Sequence, residues 1–257
     1  INFKMSTNNN NNTPLESTNN ISSNNTQENS SNSPPSSSSL ENKSYNSNNV
    51  IELNCLSLKH LFTIIRDKNT NRDQYVRYSR RLMSIICEEG LSCVNPIPLT
   101  VITPTGNEYH GSYIDHNSIV AVSIIRAGDS MLDTFLEICP EATVGKILIQ
   151  RNEETAQPML YYSKLPPLQG KTVVVLDPMV ATGGSAICAL QVLIDKGASI
   201  NNMFFFNVVS CPEGLKALTT TFPELRIITG AIDIGLNEKK YIIPGLGDYG
   251  DRYFGTV

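Results

Sequence analysis

The residues with the clearest chemical potential form one string, Val173-Val174-Val175-Leu176-Asp177-Pro178-Met179-Val180-Ala181-Thr182-Gly183-Gly184-Ser185. It reads as a buried strand, an acid at its tip, a turn of small residues and the start of a helix. Small residues let backbone N–H groups approach an anion closely, and a helix N-terminus adds free donors and a favourable dipole. The hydroxyls of Thr182 and Ser185 can add hydrogen bonds. Asp177 would repel a phosphate, so its carboxylate must face donors, and ribose hydroxyls are suitable ones. A bare Gly183-Gly184 turn would need no explanation beyond chain geometry. The string lacks the Lys of a nucleotide-triphosphate loop and the G-x-G-x-x-G spacing of a dinucleotide fold.

The elements that must position this loop have a distinct rhythm. An apolar run over 119–125 ends at Arg126-Ala127-Gly128, and one over 147–149 ends at Gln150-Arg151. The run 173–176 ends at Asp177-Pro178; 203–209 is a fourth run and 226–232 a weaker fifth. Helical patterns such as 185–196 and 213–220 lie between them. Short apolar strands alternating with helices predict an α/β fold with a parallel sheet covered on both faces. Ligands in such sheets bind beyond the carboxyl ends of the strands. Arg126 and Arg151 sit at those ends, where a surface ion pair is a less natural role than a functional one. Upstream, Tyr75, Tyr78, Leu82, Ile85 and Ile86 recur at helical spacing within 71–89, with Asn71 as cap and Gln74 completing the box. Turn residues between alternating ones predict a hairpin within 97–114. The polar stretch 152–169 predicts an excursion from the sheet, a two-stranded arm suited to dimerisation. The glycine- and aromatic-rich stretch 241–257 predicts a loop hood. Asp248 and Asp251 alone would read as turn acids. His60, His110 and His116 read as structural or surface residues.

Composition divides the chain. The first 50 residues hold 16 Asn and 13 Ser and few large apolar side chains. Such a segment cannot bury enough surface to offset its ordering entropy, so 1–50 is expected to be a disordered tail and 51–257 one folded domain. The net charge of −4 argues against nucleic acid or an anionic membrane as partner. The six cysteines form no CxxC pair, which points to free thiols in a reducing cytosol. No apolar run has the length of a membrane span.

The 173–185 string resembles the phosphoribosyl pyrophosphate (PRPP) motif of phosphoribosyltransferases, and its single acid, with Leu176 before Asp177, resembles the uracil-specific family. Further segments carry the same resemblance: Thr63-Ile64-Ile65-Arg66-Asp67, Val122-Ser123-Ile124-Ile125-Arg126-Ala127-Gly128 and Gly145-Lys146-Ile147-Leu148-Ile149-Gln150-Arg151. The most specific is Tyr241-Ile242-Ile243-Pro244-Gly245-Leu246-Gly247-Asp248-Tyr249-Gly250-Asp251-Arg252-Tyr253-Phe254-Gly255-Thr256. The resemblance runs from about residue 57 to the end.

It implies a type I phosphoribosyltransferase fold, a parallel five-stranded sheet flanked by helices, with a β-arm and a C-terminal hood. It implies conversion of uracil and PRPP to UMP and pyrophosphate, with Mg²⁺, in the cytoplasm, by a homodimer or homotetramer. Arg126 and Arg151 match the arginines that contact the pyrophosphate side of PRPP. Asp177, Pro178, Met179, Val180, Ala181, Thr182, Gly183, Gly184 and Ser185 match the ribose-5-phosphate loop. Ile242, Gly247, Asp248 and Tyr249 match the uracil site, and Asp248 also the contact with PRPP and its Mg²⁺. Arg72 and Arg81 match basic positions that meet GTP in some members, although 115–118 departs from that pattern, so the resemblance admits GTP activation without predicting it. Rival readings are a catalytically silent homologue that binds PRPP and uracil, an RNA-binding regulator on the same fold, and a PRPP enzyme for another base. The acidic charge opposes the regulator, and the C-terminal string opposes the other base.

Overall fold

A computed structural model describes residues 45–151 and 158–256, without the side chain of Arg151. The elements run in the order β1 (Val50–Glu52), α1 (Leu56–Arg66), α2 (Arg72–Ser92), β2 (Ile97–Ile102), β3 (Glu108–Tyr113), β4 (Ile119–Ile125), α3 (Gly128–Ile138), β5 (Thr143–Arg151), β6 (Pro158–Lys164) and β7 (Thr172–Leu176). They continue with β8 (Met179–Val180), α4 (Gly184–Asp195), β9 (Met203–Ser210), α5 (Pro212–Thr221), β10 (Arg226–Ile232), β11 (Gly235–Leu236), β12 (Ile242–Ile243) and α6 (Tyr249–Phe254).

The main sheet has the order β1-β10-β9-β7-β4-β5-β6, with β8 beside β9. Neighbours from β10 to β5 are parallel. These are the five expected strands, but the sheet is wider: β1 adds to β10, β8 to β9, and β6 pairs antiparallel with β5. The excursion after β5 therefore returns as an edge strand of the sheet; residues 152–157 of the expected arm lie outside the described residues. Most of the expected tail does too, but Tyr45 is buried against the core and Val50 pairs with Ile227, so 45–50 belong to the fold. The hood is not wholly a loop either, since it holds β12 and the short helix α6. Among the described residues the β2–β3 hairpin pairs only with itself, and it is exposed along most of its length.

The continuous apolar strands are explained by burial on both faces. Along β7, Val174 and Leu176 join Phe204 and Phe206 in a core with side chains of α1, α2 and α3. Val173 and Val175 point the other way, into a core with Phe205 and side chains of α4 and α5. The period of two in a strand makes that division automatic. α2 begins at the expected cap, with Asn71 Oδ1 accepting from Gln74 N at 2.9 Å, and continues to Ser92, three residues beyond the sequence reading. No helix among the described residues is long and apolar enough to cross a membrane.

Strand order places the site. From β4 the chain moves to β5 on one side, then crosses back to β7 on the other. The reversal lies between β4 and β7, and the crevice beyond their carboxyl ends is where an open α/β sheet binds ligands. Arg126 follows β4 and Asp177 follows β7. The two ends pack so closely that a Cβ on Gly128 would overlap the Leu176 carbonyl oxygen.

Candidate active site

The string singled out by sequence forms a continuous wall. Asp177 N donates to Phe206 O at 3.3 Å as the chain leaves the sheet. Pro178 O then accepts from both Val208 N and Val209 N at 3.0 Å, which pins the turn to β9. Cys211 Sγ donates to Ala181 O at 3.0 Å, fixing the middle of the loop to the start of α5. Gly183, at φ +80°, turns the chain into α4 in a conformation that an L side chain rarely adopts. The result is a cavity of about 120 Å³ lined by Asp177 and residues 179–186, at the N-terminus of α4. That position suits an anion, because the first-turn N–H groups of a helix lack intrahelical partners.

Asp177 stands at one end of this cavity. Among the described residues its Oδ1 accepts a long bond, 3.4 Å, from Met179 N. Burial pushes its carboxyl up to about 7, against a modest opposing effect of that bond. A carboxylate held so poorly by the protein gains from ligand donors.

A second cavity of about 480 Å³ is lined by Met179, Ala181, Lys239, Lys240, Tyr241, Ile242, Gly247 and Asp248. It shares Met179 and Ala181 with the first, so the phosphate loop and the hood border one another. Three of the four residues matched to a base site, Ile242, Gly247 and Asp248, line it. The fourth, Tyr249, does not: its ring is 1% exposed, its hydroxyl donates to Met83 Sδ at 3.3 Å, and it stacks on Tyr253. Tyr249 is the first residue of α6, and its side chain anchors that helix on the core. Asp248 caps α6, its Oδ1 accepting from Asp251 N at 2.8 Å.

Arg126 reaches the hood. Its Nη2 donates to Asp251 Oδ1 at 2.6 Å and its Nη1 to Thr256 Oγ1 at 2.8 Å, with about half of the side chain exposed. The Thr256 hydroxyl and the Arg126 guanidinium hold the Asp251 carboxyl below its usual range. Arg151 closes β5, and its side chain lies outside the described residues. Arg72 and Arg81 both lie on α2 and line neither cavity. Arg72 Nε donates to Tyr253 O at 3.1 Å, and the Arg81 guanidinium lies 5.4 Å from the Tyr78 ring centre. Sequence reasoning missed Lys239 and Lys240 at the second cavity; their place just before the Tyr241 string was the available signal.

Comparison with known proteins shows the family. Residues 53–256 match the family model described as uracil phosphoribosyltransferase. A "Uracil phosphoribosyltransferase" of Dictyostelium discoideum is 48% identical over 214 residues, covering 83% of this chain and 99% of that protein. "Uracil phosphoribosyltransferase 1" of Schizosaccharomyces pombe is 49% identical over 200 residues, covering 77% and 91%. Among solved structures, the AQ2163 protein of Aquifex aeolicus superposes with a TM-score of 0.71 at 38% identity, over 80% of this chain and 97% of that one. With the loop, the hood and the matched span in agreement, the chain belongs to the uracil phosphoribosyltransferase family.

Proposed function

We propose that the protein transfers the phosphoribosyl group of PRPP to uracil, giving UMP and pyrophosphate. The observation that carries this reading is the pair of adjoining cavities, one built from Asp177 and the 179–186 loop and the other from the hood. A small cavity at a helix N-terminus suits the 5-phosphate, and the larger one gives a flat base room beside it.

Departure of pyrophosphate from ribose C1 builds positive charge on the ring and negative charge on the leaving group. Catalysis then depends on positioning and electrostatics more than on a protein nucleophile. The 181–185 loop anchors the 5-phosphate, and Asp177 accepts from the ribose hydroxyls. Two of the five donors of Arg126 engage the hood, which leaves others for the pyrophosphate. Arg151, at the end of β5, is the second arginine that the family resemblance assigns to that leaving group. Uracil N1 attacks C1 with inversion as the C1–O bond to pyrophosphate breaks, and the N1 proton passes to the departing pyrophosphate or to water, while Gly247 and Asp248 hold the base edge.

Among the described residues no three His, Cys, Asp or Glu side chains cluster to hold a metal. Mg²⁺ keeps water and phosphate oxygens and needs only one or two protein carboxylates. Asp248, and Asp177 through the ribose, would meet the ion carried by PRPP, where it neutralises diphosphate charge.

Uracil presents an N3–H donor between two carbonyls, whereas cytosine presents an acceptor there and an amine at C4. A site of fixed backbone groups leaves buried groups unpaired with cytosine, a loss of roughly 1–3 kcal/mol for each. Labelled uracil, cytosine and orotate offered with PRPP and Mg²⁺ test the reading: UMP should form from uracil alone. Product from orotate or cytosine at a comparable rate would contradict it.

Self-association is part of the same reading. The β2–β3 hairpin exposes Ile97, Leu99, Val101, Ile102, Tyr109 and Tyr113, a surface suited to a second copy. Sedimentation of the full chain should show a dimer or tetramer, and a monomer would contradict this. GTP, if it acts, would meet Arg72 and Arg81 on α2; the uracil assay with and without GTP decides.

A further inference from the structure

Of the segments that carry the family resemblance, Thr63-Ile64-Ile65-Arg66-Asp67 has no part in either cavity. The structure gives it one. Arg66, the last residue of α1, donates through Nη1 to Asp233 Oδ2 at 2.8 Å and to Gly245 O at 2.8 Å. Its Nη2 donates to Asp233 Oδ1 at 2.7 Å. Asp233, 8% exposed just after β10, in turn accepts from Gly245 N at 2.8 Å. From the opposite side, Arg252 of α6 donates through Nη1 to Leu246 O and Ile65 O, both at 2.6 Å. Its Nη2 donates to Asp67 O at 2.7 Å, and its guanidinium lies 4.2 Å from the Tyr75 ring centre.

The 245–246 turn is thus held on both sides by charge-assisted bonds, which are shorter and stronger than neutral ones. Gly245 N, Gly245 O and Leu246 O are all consumed. Gly245 sits at φ +61° with no room for a Cβ beside Ile242 O. The next two residues, Gly247 and Asp248, line the larger cavity, and Gly247 takes part in none of these bonds. Arg66, Asp233 and Arg252 line neither cavity. Their bonds to Gly245 and Leu246 connect them to the residues that line the larger cavity.

We propose that Arg66, Asp233 and Arg252 are positioning residues for base recognition, a clamp that sets the main chain of Gly247 before uracil arrives. The proposal rests on the reading of the larger cavity as the base site. Rigid groups bind better than ones that must be ordered on binding, and a misplacement of about 1 Å can cost a hundredfold in rate. The phosphate loop hangs from β9 and α5 by its own bonds, so it should not sense the clamp.

The test is steady-state kinetics on Asp233→Asn and Arg252→Lys, each with both substrates varied. The KM for uracil should rise by about tenfold or more, with the KM for PRPP within about twofold of the parent. A merely structural role would not split the two constants. Equal changes in both, or no change in either, while the parent makes UMP, would overturn the clamp and leave the proposed activity standing. A parent that makes no UMP would overturn both. Should Asp233→Asn fail to fold, the paired Arg66→Gln/Asp233→Asn variant, which leaves no unpaired buried charge, carries the same test.

Discussion

Asp177 shows what a site residue costs the fold that carries it. An unfolded aspartate ionises near 3.8, whereas desolvation of this half-buried one pushes it up to about 7. The native state therefore binds more protons across that window, so the Asp177 contribution falls as pH rises from about 4 to 7 and levels off above. Asp177→Asn removes the titration. Its melting temperature relative to the parent should climb between pH 4 and pH 7 and then stay level; a constant difference would contradict the assignment. The same substitution should weaken PRPP, since an amide is a poorer acceptor for the ribose hydroxyls. The KM for PRPP of the parent should fall relative to that of the variant between pH 6 and 8, as the carboxylate ionises. Gly247 is the matching residue in the hood. At φ +81° it occupies a conformation that costs a side-chain-bearing residue roughly 1–2 kcal/mol. Gly247→Val should abolish use of uracil and spare PRPP binding by equilibrium dialysis. Equal loss of both would place the glycine outside the base site.

At the scale of elements, the loop is shaped as much by α5 as by its own sequence. A Cβ on Gly214 would stand 2.5 Å from Ala181 O and 2.8 Å from Val180 Cγ1, so the second residue past Pro212 must be small for loop and helix to meet. Gly214→Val should push the loop off its support and raise the KM for PRPP by about tenfold, with the KM for uracil little changed. Unchanged PRPP kinetics would show that the loop stands without α5. The loop itself was legible because strand, acid, small residues and helix follow one another in sequence. β4 was legible to the residue, since a buried parallel strand is a continuous apolar run. β5 was not: the reading of 147–149 missed six of its nine residues, because Thr143, Gly145 and Lys146 break the run and pairing with β4 extends the strand regardless. The helix in the hood was hidden by its glycines, although Asp248 three residues before Asp251 carried the capping signal.

Among the described residues the main sheet is mostly parallel and packed on both faces, its chain reverses between β4 and β7, and that reversal gathers residues far apart in sequence. The fold class followed from rhythm alone, because alternation of apolar strands and helices has few packing solutions. Long-range pairing left no such trace. Arg66 meets Asp233 across 167 residues and Arg252 meets Ile65 across 187, and no local pattern announces either bond. The inward direction of Tyr249 was equally unreadable, since α6 chooses its buried face only after it docks on α2. In the proposed reaction the loop and the hood together carry out one transfer. The most direct test follows labelled uracil with PRPP and Mg²⁺ in the parent chain and in Asp177→Asn. The parent should form UMP saturably with an equal amount of pyrophosphate, and the variant should do so at a rate lower by about a hundredfold. A folded parent that binds PRPP yet forms no UMP would contradict it.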